Sequence, residues 1–132
     1  MENPTSISDL ARALYADRTG NDLDKLSAWH TDDATFEMPN MPGDMGKPTR
    51  LADLLDTLVS VFRWDDVEIK SVHCADQTAT VRLGVTITHI PSGQTHSTEC
   101  LDLITFDDNN RVKTYVQYVD TALVTSLLAD QS

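Results

Sequence analysis

The sequence is poor in basic residues. Its 132 residues include 10 lysines and arginines against 21 aspartates and glutamates, which gives a formal net charge of -11. Binding to nucleic acids or anionic membranes requires a basic surface, because phosphate groups are negatively charged. The acidic residues are scattered, in pairs such as Asp32-Asp33 and Asp65-Asp66. We interpret them as a solubilising surface and expect neither a nucleic-acid nor a membrane partner.

Cysteine is also scarce, and long apolar runs are missing. The chain has two cysteines, Cys74 and Cys100, too few for a disulfide scaffold. No apolar run approaches the roughly 20 residues that cross a bilayer. Residues 1–10 have neither the basic segment nor the apolar block of a secretory signal. The sequence thus predicts a cytoplasmic protein in which residues 1–132 form a single domain.

Hydrophobic periodicity predicts helices in the first half of the chain and strands in the second. Apolar residues at helical spacing predict three helices, over residues 6–20, 22–30 and 48–62. A period of two, interrupted by turn residues, predicts strands over residues 67–74, 78–90, 95–106 and 111–119. A short strand is predicted near residues 33–39, and residues 121–128 are amphipathic. This order predicts an α+β fold in which the three helices cover a mostly antiparallel sheet.

One carboxylate lies inside the apolar strand CLDLITF. Alternation places Asp102 on one strand face with Cys100 and Ile104, and Leu101 and Leu103 on the other. The apolar residues of this second face suggest a further burial surface such as a dimer contact.

The strand pairing decides what surrounds this carboxylate. If residues 91–94 (PSGQ) form a four-residue hairpin loop, Leu83 pairs with Asp102. Asp102 would then share a face with Leu83, Val85 and Ile87, and loss of solvent there would raise its pKa. A structural acid hydrogen-bonded to backbone or tyrosine groups, or an acid at an exposed edge, is the alternative to a functional role.

The histidines do not form an evident metal site. The same hairpin would make His89 and His96 face each other, but no third ligand occurs at suitable spacing. His96 would also lie roughly 20 Å from Asp102, at about 3.3 Å per residue. We predict solvated hairpin histidines and no metal. His30 is predicted to end a helix, where a cation is favourable.

Four short patterns, in this order and spacing, resemble the SnoaL-like and ketosteroid-isomerase-like branch of the nuclear transport factor 2-like superfamily. They are Asp22-Leu23-Asp24, Asp32-Asp33-Ala34-Thr35, Glu37-x-Pro39 and Leu101-Asp102-x-x-x-Phe106-Asp107. The resemblance covers most of the chain. It implies a cystatin-like cone, or α+β barrel, in which a strongly curved sheet wraps around a helix and leaves an apolar pocket. It also implies a homodimer formed through the outer sheet face.

The resemblance assigns roles residue by residue. In the steroid isomerases a protonated aspartate donates a hydrogen bond to the dienolate oxygen, and Asp102 occupies the matching position. Their general base is the Asp of a Glu-Asp-Pro sequence, whereas this chain has Met38, which cannot accept a proton. Their tyrosine donor matches Leu14; Tyr15 is the next residue and could take this role only after a shift in register. We predict Asp102 and Tyr15 as catalytic residues, and a protein that is not a standard ketosteroid isomerase.

Two other branches of the superfamily were compared with the sequence: one matches less well, and the other does not decide which residue is the general base. The Asp-Arg-Asp set of limonene-epoxide hydrolases would fall on Asp102, Cys100 and Gln117, so one residue of three is kept. SnoaL-like cyclases need chiefly one acid–base carboxylate, which here could be Glu37, Asp44 or Asp102.

The expected pocket is lined by residues from several elements. Strand parity and the resemblance predict ligand contacts from Met38, Phe62, Trp64, Cys100, Tyr115, Gln117 and Val119. Core packing is the alternative for each of them.

The predicted function is a cofactor-free isomerase, cyclase or dehydratase. It would act on an apolar, ring-bearing small molecule by acid–base or enolate-stabilising chemistry. The alternatives are a non-catalytic small-molecule-binding protein and a protein-interaction module of the same fold.

Overall fold

The computed structural model describes residues 6–129, in which four helices cover one six-stranded sheet. The helices are α1 (Ile7–Gly20), α2 (Leu23–Ala28), α3 (Leu51–Val61) and α4 (Thr121–Ala129). The strands are β1 (His30–Glu37), β2 (Thr49–Arg50), β3 (Phe62–Ala75), β4 (Thr78–His89), β5 (Gln94–Phe106) and β6 (Val112–Tyr118). Residues 1–5, on which the prediction about a signal segment partly rests, lie outside the described residues. Within residues 6–129, no helix is long and apolar enough to cross a membrane.

The sheet is mostly antiparallel, as predicted, with strand order β2-β1-β6-β5-β4-β3. The parallel pair, β1 with β6, brings the first strand of the chain beside the last. Bulges in β3 after Trp64 and after Ile69 bend the strand. The bent sheet turns its apolar face toward α1, which packs mainly on β3, and α3, which packs on β1. The fold class is confirmed, but the count of three helices was too low, because the C-terminal amphipathic segment forms α4.

Helix α1 is fixed at both ends. The Ser6 side chain accepts a hydrogen bond from the backbone N–H of Asp9 at 3.0 Å, so the predicted N-terminal cap is present. Asn21 ends the helix in the left-handed region, at φ 54°. Its side-chain amide donates to the Val59 carbonyl at 3.0 Å, which ties α1 to α3. These contacts hold the inner face of α1 over the sheet.

The predicted pairing of β4 with β5 was wrong by two residues. His89 pairs with Gln94, and Asp102 pairs with Val81 instead of Leu83. The loop is residues 90–93, in which Gly93 adopts the positive φ of 73° that completes the turn. A shift of two residues preserves alternation. Asp102 therefore lies on the predicted apolar face.

Two histidines differ from the predictions made for them. His89 is fully buried and faces Gln94, so it is neither solvated nor opposite His96. Its Nδ1 contacts Ser92 Oγ at 2.7 Å, and its ring lies 6.0 Å from that of Phe62. His30 begins β1 and is also buried, because α2 ends two residues earlier than the helix predicted from the sequence.

Candidate functional site

The candidate site is centred on a buried carboxylate with three hydrogen-bond donors. Asp102 is fully buried on β5. Its Oδ2 accepts from Tyr115 Oη at 2.5 Å, from Tyr15 Oη at 2.7 Å and from Gln117 Nε2 at 3.3 Å. Tyr115 and Gln117 come from the neighbouring strand β6, where Gln117 is the direct partner of Asp102. Tyr15 reaches the same oxygen from α1.

Burial controls the electrostatics of this cluster. It raises the pKa of Asp102 to about 6, against the lowering effect of the hydrogen bonds from Tyr115, Tyr15 and Gln117. The other carboxylate oxygen, Oδ1, has no hydrogen-bond partner among the described residues. Burial also raises the pKa of Tyr15 and Tyr115 well above the usual range, and the nearby Asp102 carboxylate adds to the effect. Both phenols thus stay protonated at neutral pH, while Asp102 can gain or lose a proton.

An apolar cavity of about 70 Å³ lies between α1, α3 and the sheet. We call it the main cavity. It is lined by Leu14, Tyr15, Arg18, Leu26, His30, Phe36, Met38, Leu51, Leu55, Leu58, Phe62, Trp64, Tyr115 and Gln117. A second cavity, of about 30 Å³, shares four of these residues: Met38, Phe62, Trp64 and Gln117. The two spaces are therefore separated chiefly by side chains.

The structure brings the predicted site residues together in two groups. Those that line the main cavity are Tyr15, Met38, Phe62, Trp64, Tyr115 and Gln117. Cys100 and Val119 line the second cavity, together with Val124 of α4. Asp102 lines neither cavity, because Tyr15, Tyr115 and Gln117 contact it from the cavity side. The carboxylate thus adjoins the cavity through its hydrogen-bond donors.

Two other acids considered as the base lie elsewhere. Glu37 alternates to the face of β1 opposite Phe36 and Met38 and is half-buried, and Asp44 is exposed in a short 3₁₀ turn. Neither lines the main or the second cavity.

The sequence reasoning missed two polar residues of the main cavity, Arg18 and His30. Arg18 lies one helical turn after Tyr15 on α1, so the two share a helix face. His30 has the same strand parity as the buried residues Phe36 and Met38. Spacing relative to these residues is the signal that could have revealed both.

His30 is held as a neutral acceptor. Its Nδ1 lies 2.6 Å from the Leu26 carbonyl oxygen, and because a carbonyl only accepts, Nδ1 carries the hydrogen and Nε2 has a free lone pair. Burial, helped by the Arg111 guanidinium that donates to the His30 carbonyl, lowers the pKa of His30 to about 4, against the raising effect of its hydrogen bond to Leu26. His30 is therefore uncharged at neutral pH.

No group of three or more histidine, cysteine or acidic side chains within residues 6–129 is arranged to hold a metal ion. Cys100, which lines the second cavity, is a buried thiol whose pKa is raised by burial.

A family comparison agrees with this geometry. The model of the SnoaL-like domain matches residues 11–115, a range that includes Tyr15, Asp102 and Tyr115. The chain belongs to the SnoaL-like domain family. No curated protein sequence matches it.

Solved structures show the fold that the SnoaL-like chain adopts. An isomerase candidate from Bacillus subtilis superposes with a TM-score of 0.78 at 18% identity, covering 96% of this chain and 94% of the other. A candidate SnoaL-like polyketide cyclase from Jannaschia gives 0.74 at 15% identity, covering 98% and 97%. An epoxide hydrolase from M. tuberculosis gives 0.69 at 17% identity, covering 91% and 87%. At identities this low the superpositions show the fold alone, a nuclear transport factor 2-like cone, and the activity of this SnoaL-like protein stays open.

Proposed function

We propose that the protein is an enzyme of the isomerase or cyclase kind, in which Tyr15 and Tyr115 exchange protons between a small apolar substrate and Asp102. The observation that carries the proposal is the contact of both phenols with one buried carboxylate oxygen, at 2.7 and 2.5 Å, beside an apolar cavity. The fold neighbours described as an isomerase, an epoxide hydrolase and a polyketide cyclase are consistent with it.

The direction of the hydrogen bonds determines the chemistry. When Asp102 is ionised, each phenol uses its single hydrogen to donate to Asp102, so its oxygen is free to accept from a ligand in the cavity. A hydroxyl or an activated C–H of the substrate then gives its proton to a phenol oxygen, while the phenol proton passes to Asp102 Oδ2. The substrate becomes an alkoxide or enolate, and the re-protonated phenol donates to it.

The same steps in reverse complete a reaction cycle. Neutral Asp102 returns its proton through a phenol to another atom of the substrate, which gives an isomerisation. Alternatively, the alkoxide oxygen adds to the β carbon of a C=C bond conjugated to a carbonyl of the same substrate; the C=C electron pair shifts to give an enolate, which neutral Asp102 protonates through a phenol, and the product is a cyclic ether. A pKa of about 6 for Asp102 suits both directions, because a proton-transfer group works best when its pKa is near the working pH. Asp102 acts through the phenols, which are the groups that touch the substrate.

The cavity size restricts the substrate. A cavity of roughly 150 Å³ with aliphatic and aromatic walls is known to accept benzene, whereas the main and second cavities measure about 70 and 30 Å³. A ring must therefore displace the side chains between them. Met38 is the best suited to move, because its unbranched thioether has three rotatable bonds. Because the two cavities together are smaller than a benzene-sized cavity before these side chains move, the space favours a single-ring substrate over a steroid.

The proposal is tested by binding substituted phenols, whose oxygen imitates an enolate, and following the affinity against pH by calorimetry. The affinity of the wild type should change around pH 6, where Asp102 titrates, and Asp102→Asn should abolish that change. The exposed Asp44 provides the matched control Asp44→Asn, which should keep the wild-type profile. An unchanged profile in folded Asp102→Asn, or failure of all phenols to bind folded wild type, would contradict the proposal.

A non-catalytic binding protein is the second candidate, favoured by the methionine at the position of the family's base. The two functions differ in exchange of carbon-bound hydrogen. With a cyclic ketone in D₂O, an enzyme accelerates exchange of the protons next to the carbonyl, and the acceleration should disappear in Tyr15→Phe/Tyr115→Phe. A binding protein leaves this exchange at the buffer rate.

A further inference from the structure

The main cavity contains a cation without a carboxylate partner. Arg18 lines the cavity from the last turn of α1. Within residues 6–129, the basic residues that form ion pairs are Arg50, Arg63, Lys70 and Arg82. The two acceptors of Arg18 are neutral: the side-chain oxygen of Asn21 at 2.5 Å and the carbonyl of Phe62 at 3.4 Å. Its positive charge is thus not neutralised by an acid.

The position of this cation is fixed by an aromatic stack. Arg18 Cζ lies 4.8 Å from the centroid of the Trp64 ring, which is within the range of a cation–π interaction. The Trp64 ring lies nearly parallel to that of Tyr15, at 8° and a centroid distance of 6.4 Å. Because one indole contacts both groups, the guanidinium and the phenol are held at the same wall of the cavity.

The energetics favour an anion at this position. Arg18 is half-buried, and taking a charge even partly out of water is costly unless the charge is paired. Burial lowers the pKa of Arg18 to about 10, so it remains charged at neutral pH. A guanidinium has five N–H donors in a planar fork that matches the two oxygens of a carboxylate, and the two neutral acceptors do not match that pattern.

The net charge of -11 does not prevent such binding. It slows the approach of an anion, but salt screens exposed charges beyond about 8 Å at physiological ionic strength. A direct contact beside apolar walls is screened much less. Ionised Asp102 repels a second carboxylate at the phenol end of the cavity, so an anionic group should lie at the Arg18 end.

We propose that the ligand of the main cavity is an apolar carboxylic acid, with its carboxylate bound by Arg18 and its apolar body against Trp64, Phe62 and Met38. The inference rests on the proposed function, in that the main cavity is the substrate site. Arg18 and Tyr15 both line this cavity and both contact Trp64. The substrate class is therefore a ring-bearing acid that the two residues engage together, with its carboxylate at Arg18 and its reacting oxygen or carbon at Tyr15.

The test compares an acid with its neutral amide. Phenylacetate and phenylacetamide have the same ring and nearly the same shape, and their affinities can be measured by calorimetry or by NMR titration. Wild type should bind the acid roughly ten- to hundredfold more tightly, as expected for a charge-assisted hydrogen bond. Arg18→Gln should bring the acid to the affinity of the amide and leave the amide within about twofold, the resolution of such a titration. Arg18→Lys, which keeps the charge but loses the fork, should lie between.

The controls separate this inference from the proposed function. Arg12, an exposed residue of the same helix, gives the matched variant Arg12→Gln, which should keep the wild-type preference. Each variant is measured with both ligands, so a general loss of stability in Arg18→Gln does not affect the acid-to-amide ratio. Equal binding of acid and amide to wild type, or an unchanged ratio in Arg18→Gln, overturns the inference. If neutral phenols still bind in that case, the proposed function stands; if nothing binds, both fail.

Discussion

At the scale of single residues, the balance between burial and hydrogen bonding at Asp102 decides how the site works. Burial favours the neutral carboxyl, and three donors favour the carboxylate. All three donors are on Oδ2, whereas Oδ1 is buried without a partner among the described residues. This arrangement keeps the pKa of Asp102 raised, because the buried Oδ1 of the carboxylate receives no hydrogen bond from the described residues. Asp102 is thus able to change its protonation state near neutral pH.

This balance can be measured at one carbon atom. The side-chain carboxyl shift of Asp102, followed by NMR against pH, should titrate near 6 in the wild type. Tyr115→Phe removes the donor with the largest lowering effect, so the pKa of Asp102 should rise further. Tyr118→Phe on β6 removes an exposed hydroxyl and should leave the pKa unchanged. A wild-type value at or below the ordinary value of about 3.9 would contradict a desolvated carboxyl.

The sequence was informative about Asp102 but less so about its partners. The alternation of apolar and polar residues is enough to single out one acid in an apolar strand. The same alternation on the last strand predicts that Tyr115 and Gln117 point to the same face of the sheet. Tyr15 was harder to place, because its contact depends on how α1 is rotated over the sheet. That rotation is set by tertiary packing, which the spacing of Leu10, Ala11 and Leu14 does not define to within one residue.

At the scale of elements, short connections place the cavity walls. The loop after β1 returns on itself through two backbone hydrogen bonds, from Met38 N to the Met45 carbonyl at 2.7 Å and from Met41 N to the Met38 carbonyl at 3.2 Å. A Cβ on Gly46 would lie 2.1 Å from the Met41 carbonyl oxygen. The backbone at residue 46 therefore passes so close to the Met41 carbonyl that only glycine fits there. This close approach holds the loop that positions Met38, which lines both cavities.

Two glycine-to-alanine variants test the role of this loop. Gly46→Ala should lower the free energy of unfolding by about 1–3 kcal/mol, because the backbone must move, and it should weaken binding of phenol probes by displacing Met38. Gly20→Ala is the matched control, since it ends α1 with no atom within 4 Å of the added Cβ. It should be neutral or stabilise by up to about 1 kcal/mol. If chemical denaturation gives the same change in the free energy of unfolding for both substitutions, the close backbone approach at Gly46 is contradicted.

Strands β4 and β5 were predicted closely, but β3 was not: it begins at Phe62, whereas the sequence predicted a helix up to residue 62 and a strand only from residue 67. The alternation of β4 and β5 is strong, and their extents are close to those expected. The pairing between them was wrong because the loop begins one residue earlier, at Ile90. The parallel contact of β1 with β6 could not be read from either strand, because it joins segments about 80 residues apart.

At the scale of the whole molecule, the outer sheet face is expected to contact a second copy of the chain. Leu101 and Tyr118 are direct partners across β5 and β6, and they are 40% and 45% exposed. We predict a homodimer in sedimentation analysis. Leu101→Lys should shift it toward monomer, because a charge would have to be desolvated at the contact. Leu23→Lys replaces an exposed leucine of α2 and should leave the mass unchanged. A monomeric wild type would contradict the prediction.

The pH dependence of the free energy of unfolding depends on two buried groups of the site, Asp102 and His30, and their contributions have opposite signs. The pKa of Asp102 is raised from 3.8 to about 6, so the folded state binds more protons and stability falls as pH rises through that range. The pKa of His30 is lowered from 6.5 to about 4, so the unfolded state binds more protons and stability rises over nearly the same range. Each effect amounts to about 2–3 kcal/mol between pH 4 and 7. Because the two contributions oppose each other, together they should change the free energy of unfolding of the wild type little between pH 4 and 7.

Single variants should reveal each effect. In denaturant unfolding from pH 4 to 7, Asp102→Asn should become more stable with rising pH relative to wild type, by about 2–3 kcal/mol, because the opposing contribution of Asp102 is removed. His30→Gln, which keeps a donor for the Leu26 carbonyl, should show the reverse slope. Two controls should follow the wild-type curve: Asp44→Asn, at an exposed acid, and His96→Gln, at a histidine of the β4–β5 hairpin. The exposed acids Asp65 and Glu99, whose pKa values are lowered by hydrogen bonds, affect all variants alike and cancel in the differences. Slopes of the same sign in both variants would mean that the carboxyl and the imidazole are not both buried as described.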